Sequence, residues 1–530
     1  MSAVSEDSKV RRERNLIAER LIVPLSLTAF TAFYFVDVCL RASGKFFWYD
    51  ELLTLYFARL PNLHSLWGAL QTGVESNPPG FHLLTRATET LWGEGLIATR
   101  LPEIVSFWVL CICLFMYVRP RAGTAAALLA LTFPMTTGAY YYAYEARPLI
   151  IVVCLGAIAL LCFDYANRSG KRTRWLLAFS AALLAAFVLH CYAILLIFPF
   201  ALVEVTRASR FRIFRWDVWI AMFLPALVVF PMYLSILKAF SAVTHGTNFA
   251  FFFPPNWGQL LGLYSYLLAP GLVTLLTALV LFSVNHGIDR KRAYEPDRED
   301  RTPYTGEDAL LAAGFIAIPV AGVLLGKALH STFFGRYFLS ALIGIVIVIS
   351  VRAGLQPARK RVASLLLCVT CCTLLLNFAR LMHNLYNNTG EILFEPSTSQ
   401  HMGTTRGEPL EWYPLIQYLP DNSLPVVLLD PANYLYLYQY APRLAGRLNL
   451  WAPDRNDATI RGIAAFQRWS PLKYKPPLIG RELVNTYREF YVYGGGMKME
   501  ELGRLASMTD IKSVKVSEGN YLMRMQAKIE

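Results

Sequence analysis

Charge is scarce in this chain. Of its 530 residues only 16% are charged while 55% are hydrophobic, and the mean hydropathy is +0.39. Soluble domains carry about 25% charged residues. The deficit excludes one large water-soluble core and points to a polytopic membrane protein. Cysteine is missing where a disulfide framework would need it. The nine cysteines (Cys39, Cys111, Cys113, Cys154, Cys162, Cys191, Cys368, Cys371 and Cys372) lie in or beside apolar segments, and the hydrophilic tail has none. A disulfide-stapled tail is excluded. The Cys368-x-x-Cys371-Cys372 spacing looks like a metal knuckle, but in an apolar run it reads as small residues of a membrane helix. No small-x-small cleavage site follows the first apolar run, Leu21 to Leu40, which at about 20 residues is long enough to span and reads as a retained helix.

The charge that is present is mostly basic, with a formal net charge of +13. In a soluble protein this would suggest a polyanionic partner. Here the Lys and Arg residues cluster in short connections between apolar runs, so topology accounts for them and no nucleic acid partner is expected. Candidate spans fall at roughly 21–40, 100–118, 122–141, 147–166, 175–190, 191–206, 216–237, 259–284, 309–327, 338–352 and 362–382. Basic residues fill alternate connections: Arg119 and Arg121; Arg168 to Arg174; Arg207 to Arg215; 289–308; and Arg352 to Arg361. Positive connections stay in the cytoplasm. The alternation therefore predicts a multi-pass protein of the plasma (inner) membrane with its N-terminus cytoplasmic. Residues 41–99, 141–147, around 190, 238–258, 328–337 and everything after 383 then face outward. The charged loop 289–308 reads as a solvated cytoplasmic linker.

One stretch breaks the alternation. Residues 78–92 are amphipathic, with Arg86 and Glu89 in the middle. Counted as a span, they would reverse every later helix, so they read as an interfacial helix entered through Pro78-Pro79. Residues 50–60 read as a second one, beginning at two acids that favour a helix N-terminus. The chain thus divides into a membrane domain over 1–382, with about 11 transmembrane helices, and a soluble outer α/β domain over 383–530. In the tail, Val426 to Asp430, Phe490 to Tyr493 and Tyr521 to Met523 read as strands, and 431–441 and 497–507 as helices.

The outward connections hold almost every polar residue suited to chemistry. Phe46-Phe47-Trp48-Tyr49-Asp50-Glu51 places two carboxylates behind four aromatics of the kind that favour a membrane interface. A carboxylate there is a candidate general base, although a lone Asp-Glu pair in a loop is more often simply solvated. Four stretches in order carry a resemblance: Asp50-Glu51; Asn77-Pro78-Pro79-Gly80-Phe81; Tyr144-Glu145-Ala146-Arg147-Pro148; and Phe334-Gly335-Arg336-Tyr337. Together they resemble the GT-C class of membrane glycosyltransferases, among them the protein-mannosyltransferase, aminoarabinose-transferase and rhizobial lipopolysaccharide glycosyltransferase enzymes. The resemblance covers about residues 15–380. Asn77 departs from it, standing where a basic residue or histidine is usual before the double proline.

The resemblance implies an inverting transfer of a sugar from a polyprenyl-phosphate donor to a glycan, lipid or protein acceptor at the outer face. It implies Asp50 as catalytic base, with Glu51 beside it in a catalytic or orienting role. Asn77, Tyr144, Glu145, Arg147, His330, Arg336 and Tyr337 would serve the donor. Arg147 with Glu145 could equally be an interfacial ion pair, Arg336 a snorkelling cation, and His330 and His245 surface histidines. No cofactor is firmly implied; two outward acids leave a divalent cation possible without a dense ligand cluster to demand one. A transporter or flippase of a lipid-linked substrate is the competing reading. It would be expected to show internal repeats and mid-span ionisable groups, and no such repeat is seen. A glycan-binding anchor without catalysis is the third.

Overall fold

The computed structural model describes residues 2–73, 75, 77–244, 255–288, 304–328, 334–355, 359–387, 419, 423–453, 477–495, 499–517 and 520–528. Most of it is helix. Among the described residues nine helices are long and apolar enough to cross a membrane, and two shorter apolar helices, Thr124–Thr136 and Ala341–Leu355, accompany them. Each matches one expected span. The long ones are α1 (Ser2–Gly44), α5 (Leu96–Ala122), α7 (Leu149–Arg168), α8 (Arg172–Leu189), α9 (Ile197–Phe211) with the 3₁₀ turn before it, α10 (Trp216–Thr244), α11 (Gly258–Leu268) running into α12 (Leu272–Ile288), α13 (Gly306–Ala328) and α15 (Arg359–Asn387); the short Ala341–Leu355 is α14. The expected continuous span over 122–141 is the one that differs. Its α-helix, α6, covers Thr124–Thr132 and gives way to two 3₁₀ segments, Phe133–Thr136 and Gly138–Tyr144. Pro134 lacks the amide hydrogen a longer helix would need. At Gly138 the backbone presses on a neighbour: a Cβ there would lie 2.5 Å from the Tyr266 carbonyl oxygen. The tyrosine run 140–144 is consequently a separate, buried 3₁₀ turn inside the bundle, not the end of an α-helix.

The first loop folds into α2 (Tyr49–Ala58), α3 (Leu63–Leu70) and α4 (Pro79–Trp92). Helix α4 is the anticipated amphipathic helix and is not among the candidate spans. It turns Phe81, His82, Thr85, Thr88 and Glu89 inward. Gly80 lets it sit against α8, since a Cβ there would lie 2.6 Å from the Val188 carbonyl. Helix α2 differs from expectation. Every residue from Glu51 to Ala58 is buried, so it is enclosed rather than laid on an interface. Helix α4 packs on one side of it, with Phe57 stacked on His82, and the C-terminal domain on another.

That domain is a six-stranded sheet in the order β3-β2-β1-β4-β6-β5. Strands β1 (Val426–Leu428), β2 (Leu448–Ala452), β3 (Leu478–Ile479) and β4 (Glu489–Gly495) run parallel, and β6 (Asn520–Ala527) pairs antiparallel with both β4 and β5 (Thr509–Ser517). Strand side chains alternate between faces. Val426 and Leu428 of β1 therefore share a core with Leu52, Leu55, Tyr56 and Leu66 of the first loop. Val427 and Leu429 face the other core, with Trp451, Phe490 and Leu505. Helix α16 (Pro431–Tyr440) packs directly on α2. The first loop is thus as much a part of the tail's core as of the bundle's.

Candidate active site

Asp50 and Glu51 are the second and third residues of α2, whose first turn favours acids. Successive helical residues point about 100° apart, and these two carboxylates part company. Glu51 is sealed. Arg100 of α5 grips it with two nitrogens, Nε to Oε1 at 2.7 Å and Nη2 to Oε2 at 2.9 Å. The Ala146 amide donates to Oε1 at 2.8 Å, and Lys45 Nζ lies 3.8 Å from Oε2. Burial pushes the Glu51 carboxyl up, but Arg100 and Lys45 outweigh it and hold the group ionised, below its usual range. A carboxylate with both oxygens bound and no exposed surface has no room for a substrate hydroxyl.

Asp50 is partly open, its side chain 15% exposed. Arg336 Nη2 donates to its Oδ2 at 2.7 Å, and Arg147 Nε stands 4.0 Å from the same oxygen. Arg147 also donates from Nη1 to the Asp50 backbone carbonyl at 3.2 Å and to Glu75 Oε2 at 2.9 Å. Two distant corners of the chain, 144–148 and 334–337, therefore meet at Asp50. Arg336 also lies 5.3 Å from the Trp48 ring centroid and 5.8 Å from that of Tyr337, which keeps the guanidinium flanked by aromatic surface. Tyr337 stacks on Tyr192 at 5.1 Å and packs against His190 at 4.8 Å.

The remaining candidates differ in where they lie. Asn77 is buried; its side-chain amide donates to Glu75 Oε1 at 2.9 Å, as does its backbone N–H at 3.0 Å. It fixes the carboxylate that fixes Arg147. Glu145 is buried, with Lys45 Nζ 3.5 Å from Oε2 and no hydrogen-bond partner for Oε1 among the described residues. Burial pushes its carboxyl up; Lys45 opposes this, and the neighbouring Glu51 adds to it. Tyr144 is buried between Tyr140 and Tyr141 and lines a small cavity of about 30 Å³ with Asp37, Arg41 and Asn377. His330 and His245 lie outside the described residues, as does most of 289–308.

Several members were not visible beforehand. Glu75 is buried. Desolvation works against its charge, yet Arg147, His82 and the Asn77 amide hold it down at about 2. Burial pushes His82 down to about 4 and His190 down to about 3, the latter aided by Arg147. Lys45 and Arg100 are fully buried cations. Glu75 stands two residues before Asn77, so an acid next to a recognised motif was the available signal; Lys45 and Arg100 carried none. Among the described residues no group of three or more His, Cys, Asp or Glu gathers to hold a metal ion.

A bundle of membrane helices, an enclosed first loop carrying an acid at its first turn and a sheet domain capping that loop define a class. It is the fold of the GT-C membrane glycosyltransferases. Residues 76–236 match the family model described as dolichyl-phosphate-mannose-protein mannosyltransferase. The crystal structure of ArnT from Cupriavidus metallidurans in the apo state is similar over 96% of this chain and 98% of that one, with a TM-score of 0.56 and 14% identity. The same protein bound to undecaprenyl phosphate is similar over 95% and 97%, with a TM-score of 0.55 and 13% identity. At such identities the likeness is one of fold. No curated protein matches the chain in sequence.

Proposed function

We propose that this protein is an inverting glycosyltransferase that moves a hexose or pentose from a polyprenyl-phosphate donor to an acceptor hydroxyl on a glycan, lipid or protein. The reading places it in the plasma membrane with the N-terminus cytoplasmic and the tail domain, from about residue 383 on, outside. The observation that carries it is Asp50: an ionisable side chain left partly open, bonded to Arg336 at 2.7 Å and flanked by Arg147, at the end of the bundle that the tail caps. The likeness in fold to ArnT, which was crystallised with undecaprenyl phosphate, supports a polyprenyl phosphate as the donor lipid.

In this mechanism the acceptor hydroxyl attacks the anomeric carbon from the face opposite the lipid phosphate. Its proton passes to an Asp50 carboxylate oxygen as the new C–O bond forms. The bond to the phosphate oxygen breaks, and its electron pair leaves with the polyprenyl phosphate. The phosphate gains charge in this step, and Arg336 offers it nitrogens that bond no described residue. Glu51 holds the loop in place and takes no proton. Asn77 and Glu75 keep Arg147 beside the base. Tyr337 supports Arg336, and Glu145, sealed beside Lys45, helps hold that cation next to Glu51.

The test is Asp50→Asn in purified, folded protein. It is assayed with undecaprenyl-phosphate-linked hexoses and pentoses radiolabelled in the sugar. Transfer by wild type and its loss in the variant support the reading. Transfer retained at the wild-type rate removes Asp50 as the base.

A further inference from the structure

The residues leading into Asp50 are clamped from two sides, and one jaw belongs to the tail. The segment Lys45 to Trp48 connects α1 to α2 and has no regular structure apart from its first residue. On the bundle side, Arg100 Nη1 donates to the carbonyls of Ala42 and Lys45 at 2.6 and 2.7 Å, and Nη2 to that of Phe46 at 3.2 Å. On the tail side, the Phe47 amide donates to the Tyr440 hydroxyl oxygen at 2.8 Å. The Phe46 ring meets the Tyr440 ring edge-on at 5.4 Å. About two turns into α2, Tyr56 Oη donates to Gln439 Oε1 at 3.2 Å.

Arg100 takes carbonyls and Tyr440 takes an amide, so the two jaws hold opposite polar groups of one short peptide run. A backbone amide left without a partner in a half-buried setting seeks another acceptor, and the chain moves to find it. Three residues later stands Asp50, where a displacement of about 1 Å is enough to cost two orders of magnitude in rate. We propose that Tyr440 is a positioning residue for the transfer reaction and that the tail domain sets the placement of the Asp50 side chain through it. This rests on the reading of Asp50 as the base. The tail is then a working part of the catalytic centre, whatever acceptor it also meets.

The experiment is Tyr440→Phe in the full chain, which removes one oxygen and keeps the ring. Gln439→Ala is the companion, loosening the same interface without touching the 45–48 run. The expected result for Tyr440→Phe is a kcat lower by about tenfold, which is about 1.4 kcal/mol of transition-state stabilisation, with the donor KM within about twofold. The unfolding midpoint should stay near wild type, and amide hydrogen exchange should quicken over residues 46–50. Gln439→Ala should leave kcat within about twofold, since the Phe47 amide keeps its acceptor. Unchanged kcat in folded Tyr440→Phe overturns the proposal. So does an equal loss in both variants, which would mean the interface merely stabilises. Should Asp50→Asn keep transferring sugar, the base assignment falls, and the exchange rates still report whether Tyr440 holds the loop. Should Asp50→Asn be inactive and Tyr440→Phe fully active, the clamp alone falls. If Tyr440→Phe does not fold, Phe46→Leu removes the ring contact alone. A kcat loss in the same direction and smaller than tenfold then supports the proposal, and an unchanged kcat overturns it.

Discussion

The bundle carries an arginine–carboxylate cluster at each end, and they are built differently. Away from the first loop, Arg121 is sealed and every nitrogen is used. Nε and Nη2 reach Asp308 Oδ1 at 3.1 and 2.8 Å, Nη2 reaches Asp164 at 2.7 Å, and Nη1 reaches the Tyr117 carbonyl at 2.8 Å. Tyr117 Oη donates to Asp308 Oδ1 at 2.7 Å, and the Thr305 backbone N–H and hydroxyl donate to its Oδ2 at 2.8 and 2.9 Å. At the first loop Arg336 bonds one described carboxylate with one nitrogen and stays 25% exposed. Around it, Trp48 Nε1 and Glu145 Oε1 are buried without a hydrogen-bond partner among the described residues. A saturated cluster fixes helices; an unsaturated one is finished by something that arrives. Charge and burial alone would have ranked the wrong end first.

The sharpest break of that contrast lies inside one dipeptide. Asp50→Asn should lower transfer by about 10²–10⁴-fold, the usual worth of a general base, and leave the unfolding midpoint in place. Glu51→Gln should do the reverse. It leaves Arg100 and Lys45 facing a neutral amide, and removing one partner of a buried pair costs about 3–5 kcal/mol of stability. Rate per folded molecule and denaturation midpoint, measured on both variants, separate the two carboxylates. A stable, inactive Glu51→Gln protein would reverse their roles.

Opposite ends give the next contrast. Arg336→Gln should raise the donor KM and lower kcat, together about 10- to 100-fold in kcat/KM, because a charge-assisted bond to the leaving phosphate is worth about 1.5–3 kcal/mol. The fold should tolerate it, since Asp50 is open to water. Arg121→Gln should cost about 3–5 kcal/mol of stability through Asp308 and Asp164, with turnover per folded molecule unchanged. If Arg121→Gln slows turnover in folded protein as much as Arg336→Gln does, saturation is no guide to function at all.

How much of this was legible in the chain follows from sequence separation. The helices were, because an apolar run is a local property, and so was the sorting of Asp50, Arg147 and Arg336 to one end, because charge alternation is local too. Helix α4 was legible from Pro78-Pro79 and its amphipathic pattern. The break at Pro134 was not, since the tyrosines beyond it continue the apolar run. Arg100 was hidden for a related reason: it opens a span and looks like an anchor, while its role depends on Glu51, 49 residues away. The enclosure of α2 depends on Tyr440 and Gln439, nearly 400 residues on. Strand β1 could be read from Val426 to Leu429, but that its one face would meet Leu52 and Leu55 is tertiary and leaves no periodic trace.

The smallest effect expected is a pH dependence that tells the first loop from the rest. Three groups in or beside it are held below their ordinary values: His82 at about 4 and Glu75 at about 2 in the loop, and His190 at about 3 at the end of α8. For the histidines, burial disfavours the cation, so between about pH 6.5 and 4 the unfolded chain binds protons that the folded chain refuses. Each such group removes stability as the pH falls, by at most about 1.4 kcal/mol per pH unit. Glu75 acts in the same direction lower down, its ion pair with Arg147 lost as the pH drops from about 4.5 toward 2. Glu145 opposes them: burial raises its carboxyl, so acid relieves a strain that neutral pH imposes. The net expectation is an unfolding midpoint that falls from pH 7 to pH 5. The fall should be shallower in His82→Gln and His190→Gln and steeper in Glu145→Gln, which lacks the compensating group. Thermal scans of the four proteins at pH 7, 6 and 5 decide it. Parallel slopes in all four would place the acid sensitivity outside the first loop and its surroundings, and the two ends of the bundle would then be alike in this respect.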